Sequence, residues 1–399
     1  MGSVSIKIFP AKGGDCFLLN IGRYHILIDG GYADTYRNHL KKELLSLAEK
    51  GVIINLLIIT HIDHDHISGI LEFLSDNGQS ESPEIIQISD VWHNSYHTLP
   101  NVQKAEGVLS EKESRLLQGY IDNHFTATDD GYENISSKQG VTVSIQLLNG
   151  HYNVNNNSGT CICVEKNSVV DISDKVKIRI ISPSLLQLDS LRKKWEAELN
   201  SRIWSFKKTG DPLMDSAMEA FLSKMSPLDI NIEPISAPQS SSLLTIPELA
   251  SITGQPDTSE MNASSIAFIL EGLDKKILFL GDAHEDQIIT EIRKLQLRNG
   301  YTPYFDAIKV AHHGSIKNAD KLFNLIDGKY FIFSTDGQKH KDHPSLETIA
   351  KIIVRPTKIK RILVFNYKNA AFNYYNNKDF MDKYNYNVLL NSSPEDICL

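Results

Sequence analysis

Histidine and aspartate are concentrated in one short run, His61-Ile62-Asp63-His64-Asp65-His66. Imidazole nitrogens together with carboxylate oxygens suit Zn²⁺, Mn²⁺ or Fe²⁺. We expect His61, Asp63 and Asp65 to project in one general direction from an extended turn. Asp65 and His66 are adjacent, so they point differently and can serve a second metal. Two metals about 3.5–4 Å apart need a bridging carboxylate and a bridging water. The run therefore predicts a dinuclear metal site.

Three further segments with acidic or histidine side chains each follow an apolar stretch. They are Asp29-Gly30-Gly31, Gly281-Asp282 and His312-His313-Gly314-Ser315. Strand ends let a rigid sheet hold ligands at fixed separations while the loops give access. Asp282 is the natural bridging carboxylate, and we favour His313 over His312 as a ligand.

Strands alternate with helices in the first third of the chain. Apolar runs predict strands at Val4–Phe9, Cys16–Leu19, His25–Asp29 and Val52–Ile59, and helical periodicity covers 35–50 and Ile67–Leu74. Further strands are predicted at Ile85–Val91, Val141–Leu148 and Val176–Ile181. Cys161 and Cys163 are expected on the same face of another strand.

Residues 186–260 interrupt this pattern and are interpreted as a helical and loop insertion in a single domain spanning 1–399. Beyond the insertion the pattern predicts strands at Ser265–Leu270, Lys276–Leu280, Asp306–Ala311, Tyr330–Ser334 and Arg361–Phe365, with helices at Asp286–Leu297 and Leu346–Val354. Both ends of the chain thus carry strands followed by helices. The sequence predicts an α/β fold of two similar halves packed sheet on sheet, with helices outside.

Composition narrows the class of protein. A hydrophobic content of 41% allows a full core, and a net charge of −8 excludes a strongly basic surface but not a local basic groove. The four cysteines include no CxxC pair, which argues against a cysteine-type zinc site and fits a reducing compartment. The longest apolar run, Val52–Ile59, is too short for the roughly 20 residues that cross a bilayer. With no visible signal peptide, we expect a soluble, cytoplasmic protein without a membrane partner.

Together these segments resemble the metallo-β-lactamase superfamily, and within it the soluble nuclease domain of ComEC-type DNA-uptake proteins. The superfamily motif His-x-His-x-Asp-His reads here as His-x-Asp-x-Asp-His over 61–66. The other similar segments are Ala11–Leu19 with Leu27–Gly31, Asn262–Ile266 before Phe279–Asp282, Lys309–Ser315, and His343-Pro344. The resemblance covers about residues 4–185 and 261–367. The superfamily's usual third-motif histidine is not evident, and His151 is one candidate to replace it.

The resemblance implies an αββα sandwich, with two mixed β-sheets face to face and helices outside, that binds two divalent metal ions. One metal would be held by His61, Asp63 and Asp282, and the other by Asp65, His66, His313 and the same Asp282. Because Asp63 stands in a histidine position, the first site is harder and more oxygen-rich. This favours Mn²⁺ over Zn²⁺, or weak occupancy of one site, with Mg²⁺ as a further option.

The resemblance also implies hydrolysis by a water whose pKa a metal lowers to about 7. Asp65 and His343 are the predicted catalytic residues, with His343 donating to a leaving oxygen or a phosphate. Asp29 would orient a ligand histidine. Asn262, His312 and Ser315 complete the predicted surroundings of the metals or the substrate, whereas His64 is expected to face away.

The function that fits best is a nuclease or phosphodiesterase acting on DNA or RNA. Basic residues that would favour such a substrate are Lys207, Lys208, Lys317, Lys339, Lys341, Lys358, Lys360 and Arg361. One alternative is a hydrolase of small esters, lactones or cyclic nucleotides, and another is a metal- or partner-binding module without turnover.

No Walker-type GxxxxGK[ST] motif is present, so any ATP requirement would need a partner such as an ATPase. By analogy alone, the chain is a candidate component of a bacterial defence or DNA-processing system. The oligomeric state stays open, with a homodimer as one option.

Overall fold

A computed structural model describes residues 3–100, 110–112, 114–115, 118–119, 136–157, 160–200, 211–212, 216, 244–298, 300–339 and 341–399. The strands are β1 Val4–Ile8, β2 Phe17–Ile21, β3 Tyr24–Ile28, β4 Leu56–Ile58, β5 Val91–Trp92, β6 Val170–Ser173, β7 Val176–Ser182, β8 Ala267–Gly272, β9 Lys275–Phe279, β10 Tyr304–Lys309, β11 Asp327–Phe333, β12 Arg361–Phe365, β13 Tyr386–Leu390 and β14 Asp396–Cys398. The α-helices are α1 Ala33–Thr35, α2 Lys41–Glu49, α3 His64–Asn77, α4 Ser136–Asn149, α5 Leu185–Asn200, α6 Ile246–Ser251, α7 Glu260–Ala263, α8 Glu285–Gln296, α9 Leu346–Ile353, α10 Ala370–Tyr375 and α11 Lys378–Tyr384.

The chain divides into two compact units and contains two mixed β-sheets with helices. The first unit comprises Met1–Tyr24, Cys163–Ser184 and Pro234–Leu399, and the second comprises His25–Ile162 and Leu185–Glu233. The predicted α/β class with two mixed sheets is confirmed.

The first unit holds a complete eight-stranded sheet in the order β13-β12-β11-β10-β9-β8-β7-β6. Strands β9 to β13 run parallel, and β6 to β9 pair antiparallel. Strands β14, β1 and β2 form an antiparallel layer in the same unit. Phe17 on β2 meets Phe279 on β9 edge to face, with ring centroids 5.6 Å apart. The two layers of the first unit therefore pack face to face.

Alternation along the central strands explains this packing. Phe268 and Phe279 stack on one face of the eight-stranded sheet, while Ile269 and Leu278 point into the core on the other face. Helix α8 covers that second face with residues at helical spacing, which include Ile288, Ile292 and Leu295. Acidic residues in its first turn and basic residues in its last turn complement the helix dipole.

The second unit contains the parallel strands β3, β4 and β5, with Ile28 opposite Ile58 and Ile58 opposite Trp92. The carboxyl ends of these strands therefore lie side by side at one edge. Helix α3 leaves this edge after β4 and packs against α4. The edge brings together the residues that follow each strand.

The predicted strand at Val141–Leu148 is wrong, because these residues belong to helix α4. Val141, Val143, Ile145 and Leu147 alternate like a strand, but the five residues 143–147 are all buried. A helix that is buried on several sides loses the amphipathic period that would distinguish it from a strand.

Two smaller predictions also fail. Cys161 and Cys163 are both buried, but neither belongs to a strand. The strand predicted at Ile85–Val91 is reduced to β5 and an isolated bridge between Ile54 and Ile88. Residues 85–91 pair with neighbouring segments only at separate points, so they do not form one continuous strand.

Most other predicted elements are present, including β7, β9, β12, α8 and α9. The C-terminal elements β13, β14, α10 and α11 were not predicted. Within 186–260 the structure describes α5 and α6, but 201–210 and 217–243 lie outside the described residues. The single-domain interpretation with an insertion therefore stays a prediction. No helix among the described residues is long and apolar enough to span a membrane.

Candidate metal-binding clusters

The second unit carries a histidine cluster, which we define as Asp29, Thr60, His61, Asp63 and His66. Asp29 follows β3, Thr60 and His61 follow β4, and His66 lies in the first turn of α3. Asp29, His61 and His66 are buried, whereas Asp63 is half-buried. The cluster is thus assembled at the carboxyl edge of the parallel strands.

The predicted extended turn is correct only as far as Asp63. Asp63 has extended dihedral angles, and α3 begins at His64. The Asp63 carbonyl accepts hydrogen bonds from the amides of His66 and Ile67, at 2.9 and 3.1 Å, and this starts the helix. Asp65 therefore lies in the first helical turn, half-buried, and not on one extended line with His61 and Asp63.

The Asp29 carboxylate determines the tautomers of two imidazoles. It accepts hydrogen bonds from His66 Nδ1 at 2.9 Å and from the Thr60 hydroxyl at 2.7 Å. Because the Thr60 proton points to Asp29, Thr60 Oγ1 accepts from His61 Nδ1, 3.1 Å away. Both neutral imidazoles then carry their lone pair on Nε2, the atom that can bind a metal.

Potential ligand atoms of the histidine cluster lie close to one another. His61 Nε2 is 3.4 Å from Asp63 Oδ2, and the His61 and His66 ring centroids are 4.2 Å apart. A lone pair and a carboxylate oxygen repel each other at this distance, and a divalent cation between them removes the repulsion. His61 and His66 thus offer two neighbouring imidazoles whose Nε2 atoms suit a divalent metal, and the Asp63 carboxylate lies beside the first of them.

Two glycines allow α3 to approach the strand ends closely. Gly30 donates to the His66 carbonyl, and Gly69 donates to the Gly31 carbonyl, both at 2.8 Å. A Cβ atom on Gly69 would overlap the carbonyl oxygen of Gly30. This backbone contact places His66 beside Asp29.

His64 is turned to other partners within the same unit. Its Nδ1 lies 2.8 Å from the Ser68 hydroxyl, and its ring meets the Tyr32 ring with centroids 5.3 Å apart. That His64 has no direct role stays a prediction.

The first unit carries a second group, the carboxylate cluster, which we define as Asp15, Asp282, Lys309 and His313. Asp15, Asp282 and His313 are buried and offer ligand atoms that all lie within 4.8 Å of one another. His313 Nε2 is 3.6 Å from Asp282 Oδ2. This is a second donor set of imidazole and carboxylate atoms.

The carboxyl ends of β9, β10 and β11 hold this cluster. Phe279 on β9 is level with Lys309 on β10, and Lys309 is level with Ile332 on β11. Asp282 and His313 follow the first two strands. His313 Nδ1 lies 2.9 Å from the carbonyl of Ser334, which follows β11. A carbonyl only accepts, so Nδ1 is the donor and Nε2 carries the lone pair of the neutral ring.

Lys309 is the cation of the carboxylate cluster. It is fully buried, forms an ion pair with Asp15, and lies 3.6 Å from Asp282 Oδ1. Its ammonium also donates to the Gly281 carbonyl at 3.0 Å. Lys309 therefore offsets part of the negative charge of the two buried aspartates.

Asp257 connects several predicted site residues. It accepts hydrogen bonds from the side-chain amides of Asn262 at 2.8 Å and Asn318 at 3.1 Å, and it lies 3.1 Å from His312 Nδ1. Burial alone raises the pKa of Asp257, but contacts with His284 and His312 outweigh burial and hold its pKa well below the usual range. Asn262 and His312 thus meet at one buried carboxylate.

The remaining predicted residues lie nearby in the first unit. His312 and His343 are in edge-to-face contact, with ring centroids 5.2 Å apart. His312 Nε2 lies 4.0 Å from Asp282 Oδ2. Ser315 is buried, and its hydroxyl accepts a hydrogen bond from the Lys317 amide.

A family model described as "Metallo-beta-lactamase superfamily" matches residues 10–80. The matched segment contains Asp15, Asp29 and the run from His61 to His66. With the two mixed sheets and their helices, the match shows the metallo-β-lactamase fold. Members of this superfamily are mostly metal-dependent hydrolases, which indicates the same general activity here. No curated protein matches the chain.

The clusters fit the divalent metals that this superfamily binds. Each offers imidazole Nε2 and carboxylate oxygen atoms, and a second hydrogen bond orients each imidazole. Sequence reasoning did not select Asp15, Thr60, Lys309 or Asp257 as site residues. The sequence does indicate that Lys309 is paired, because a lysine at the end of an apolar strand is buried and a buried lysine needs a charged partner.

Proposed function

We propose that this protein is a metal-dependent phosphodiesterase that cleaves nucleic acid and uses both clusters. The observation that carries the proposal is the tautomer control in the histidine cluster, where Asp29 and Thr60 present His61 Nε2 and His66 Nε2 as metal ligands. Such outer hydrogen bonds are typical of working metal sites.

Ligand chemistry supports a phosphoryl substrate. Carboxylates outnumber imidazoles in the carboxylate cluster, and Asp63 adds another carboxylate beside His61. Oxygen-rich sites favour hard cations such as Mn²⁺ or Mg²⁺, the ions commonly used with phosphate substrates. We therefore propose that the site prefers Mn²⁺, and that Zn²⁺ is the next most favoured ion.

Exposed lysines support a polyanionic substrate. Lys317 follows Ser315 by two residues, and Lys339 and Lys341 precede His343 in the first unit; all three are exposed. A phosphate backbone is attracted by such charges, and the attraction weakens with salt. The other predicted basic pair, Lys207-Lys208, lies outside the described residues.

The chain's own residues have separate tasks in this proposal. When bound, a divalent metal supplies Lewis acidity and an activated water. Asp29 and Thr60 orient the imidazoles, and Lys309 limits the charge of the carboxylate cluster. The His312–His343 pair is suited to donate a hydrogen bond to a phosphoryl or leaving oxygen, because Asp257 fixes His312.

A nuclease assay with matched histidine variants tests the proposal. Wild type, His66→Ala, His64→Ala and Asp65→Ala are incubated with linear, circular and single-stranded DNA and with RNA, each with Mn²⁺, Zn²⁺ or Mg²⁺. We expect cleavage by wild type and His64→Ala, and a loss of more than about 100-fold in His66→Ala because a metal ligand is removed. Asp65→Ala is expected to lose activity as well.

The alternatives correspond to distinct results. Hydrolysis of a lactone or cyclic nucleotide without cleavage of any polymer would favour a small-molecule hydrolase. Metal binding without hydrolysis of any substrate would favour a binding module. Equal activity of His66→Ala and His64→Ala would contradict the proposed metal site. A partner ATPase and a role in defence stay proposals that this assay does not address.

A further inference from the structure

A cavity of about 270 Å³ lies in the second unit, beside the residues that follow β5. We propose that it binds a nucleobase of the substrate. The inference rests on the proposed function and deepens it, because it names the part of the substrate that the second unit recognises. The residues that carry the argument are His93, His97, Ser144, Leu147, Leu148 and Tyr152.

The described residues that line the cavity are apolar, hydroxyl-bearing or histidine residues. Leu147 and Leu148 of α4 contribute apolar side chains to the lining, and His93 and His97 contribute imidazoles. His93 Nε2 lies 3.4 Å from Ser144 Oγ, and His97 Nε2 lies 2.6 Å from Ser216 Oγ. Among the residues that the structure describes, no Asp, Glu, Lys or Arg side chain lines it. Among the described lining residues only the two imidazoles could offer a positive charge to a phosphate or carboxylate, whereas an uncharged ring with polar edges fits the lining.

Its size selects a single ring system. Pockets for drug-sized ligands typically have volumes of about 300–1,000 Å³, and this cavity lies just below that range. A base fits such a volume, but several nucleotides do not. Imidazole and phenol rings are also common stacking partners for unstacked bases.

Two asparagines fix the backbone that forms the polar wall. The Asn155 side chain accepts from the His93 amide and donates to the His93 carbonyl, both at 2.9 Å. The Asn94 side chain binds the amide and carbonyl of Ile162 in the same way, at 2.8 and 2.9 Å. Asn155 adopts a left-handed conformation to do so. Such preorganisation, at a small conformational cost, is typical of binding sites.

Side-chain contacts fix the rest of the wall. The Tyr152 hydroxyl accepts from Asn77 at 2.9 Å and donates to the Gly78 carbonyl at 3.0 Å. Ser144 Oγ lies 3.4 Å from His93 Nε2. These contacts hold the Tyr152 ring in place and keep Ser144 beside His93.

Strand register links the cavity to the histidine cluster. The Ile59 amide donates to the Trp92 carbonyl at 2.9 Å, so the chain leaves β4 and β5 side by side. His93 follows Trp92 directly, and His61 follows Ile59 by two residues. Neighbouring strands are about 4.8 Å apart, so His61 and His93 leave the same edge roughly one or two strand spacings apart. A base in the cavity would place its nucleotide's phosphate near the histidine cluster.

Nucleoside binding by the full-length protein tests the inference without any cleavage. Adenosine, uridine and toluene are titrated by calorimetry into wild type, Leu148→Trp, Ser144→Ala and the matched control Leu186→Trp. Leu148 lines the cavity, whereas Leu186 is 74% exposed on α5 in the same unit. We expect nucleosides to bind wild type and Leu186→Trp equally. Leu148→Trp should lose at least about tenfold in affinity because it fills the cavity, and Ser144→Ala should lose about three- to tenfold.

Several results would overturn the inference. These are no nucleoside binding to wild type, equal binding to Leu148→Trp, or binding of toluene alone. Circular dichroism with unchanged spectra and Tm establishes that Ser144→Ala is folded, so this mild variant decides the case if Leu148→Trp unfolds. Cleavage of DNA without nucleoside binding would reject the base site only. Nucleoside binding without cleavage of any polymer would reject the proposed function only.

Discussion

Lys309 and Asp15 form an ion pair whose side chains are 0% and 2% exposed. The Oδ1 atom of Asp282 lies 3.6 Å from the same ammonium. One buried lysine thus serves two buried aspartates, one of which is the predicted bridging ligand. Breaking such a group leaves an uncompensated charge in the interior, which is costly.

Lys309→Met is therefore expected to lower the free energy of unfolding by about 3–5 kcal/mol in chelator-treated protein. Urea denaturation measures the change. Lys294→Met removes an exposed lysine whose ion pair with Glu291 is at the surface, and it should change stability by less than about 1 kcal/mol. Adding Mn²⁺ should raise the Tm of Lys309→Met more than that of wild type, because the cation replaces the lost charge. Equal stability of the two variants would refute the role given to Lys309.

Asp29→Asn is expected to weaken metal binding without unfolding the protein. An asparagine keeps the shape and tolerates the left-handed conformation of Asp29, but its amide no longer provides two accepting oxygens for His66 and Thr60. Outer partners of this kind contribute about 10–100-fold to metal affinity. Competition with a metal-binding dye gives the affinity.

The half-exposed Asp34 provides the matched control for that experiment. Asp34→Asn should bind metal like wild type. If Asp29→Asn retained full affinity, the tautomers of His61 and His66 would not depend on Asp29.

Strand ends made much of the candidate site predictable. His61, Asp282 and His313 each follow an apolar run that forms a strand in the structure. Polar residues at the ends of such runs can be recognised from the sequence alone. The interactions that join them were not visible. Asp15 and Lys309 meet only because β2 and β10 belong to facing layers of the first unit, and no local pattern encodes that packing.

Where the sequence misled, the cause was burial or composition. Helix α4 was read as a strand because its apolar residues alternate. Asp257 lies in a stretch rich in Ser, Pro and Thr that was interpreted as insertion and loop, yet it is the buried partner of His312 and Asn262. A polar composition predicts irregular backbone but says nothing about which polar residue becomes buried.

Asp257→Asn is expected to make stability less dependent on pH in the acid range. The folded-state pKa of Asp257 is lowered, so its contribution is present above the unfolded pKa of about 3.9 and is lost as pH falls below that value. One extra proton bound by the unfolded state gives a slope of about 1.4 kcal/mol per pH unit. In wild type this contribution should grow as pH falls through about 3.9 and approach its full slope near pH 2.5, and the variant should lack it.

Urea denaturation at several pH values measures that slope. At pH 7 the variant should be less stable by about 2–3 kcal/mol, because hydrogen bonds to a charged acceptor are lost. Asp174→Asn, at an exposed turn, is the control and should retain both the slope and the stability of wild type. A wild-type slope in Asp257→Asn would assign the acid sensitivity to other carboxylates.

Gly69→Ala should separate the position of α3 from the chemistry of its side chains. The added methyl group would overlap the Gly30 carbonyl oxygen, which is backbone and cannot move aside as a side-chain tip can. Helix α3 must then shift away from the strand ends, which moves His66 relative to Asp29. We expect a loss of about 1–3 kcal/mol in unfolding free energy, as for other overpacked sites.

Metal affinity should fall although no ligand or hydrogen-bonding side chain has changed. Gly119→Ala, where an added Cβ meets none of the described residues within 4 Å, is the matched control and should leave both quantities unchanged or slightly improve stability. If Gly69→Ala lost stability but bound metal like wild type, the His66–Asp29 contact would not depend on the approach of α3.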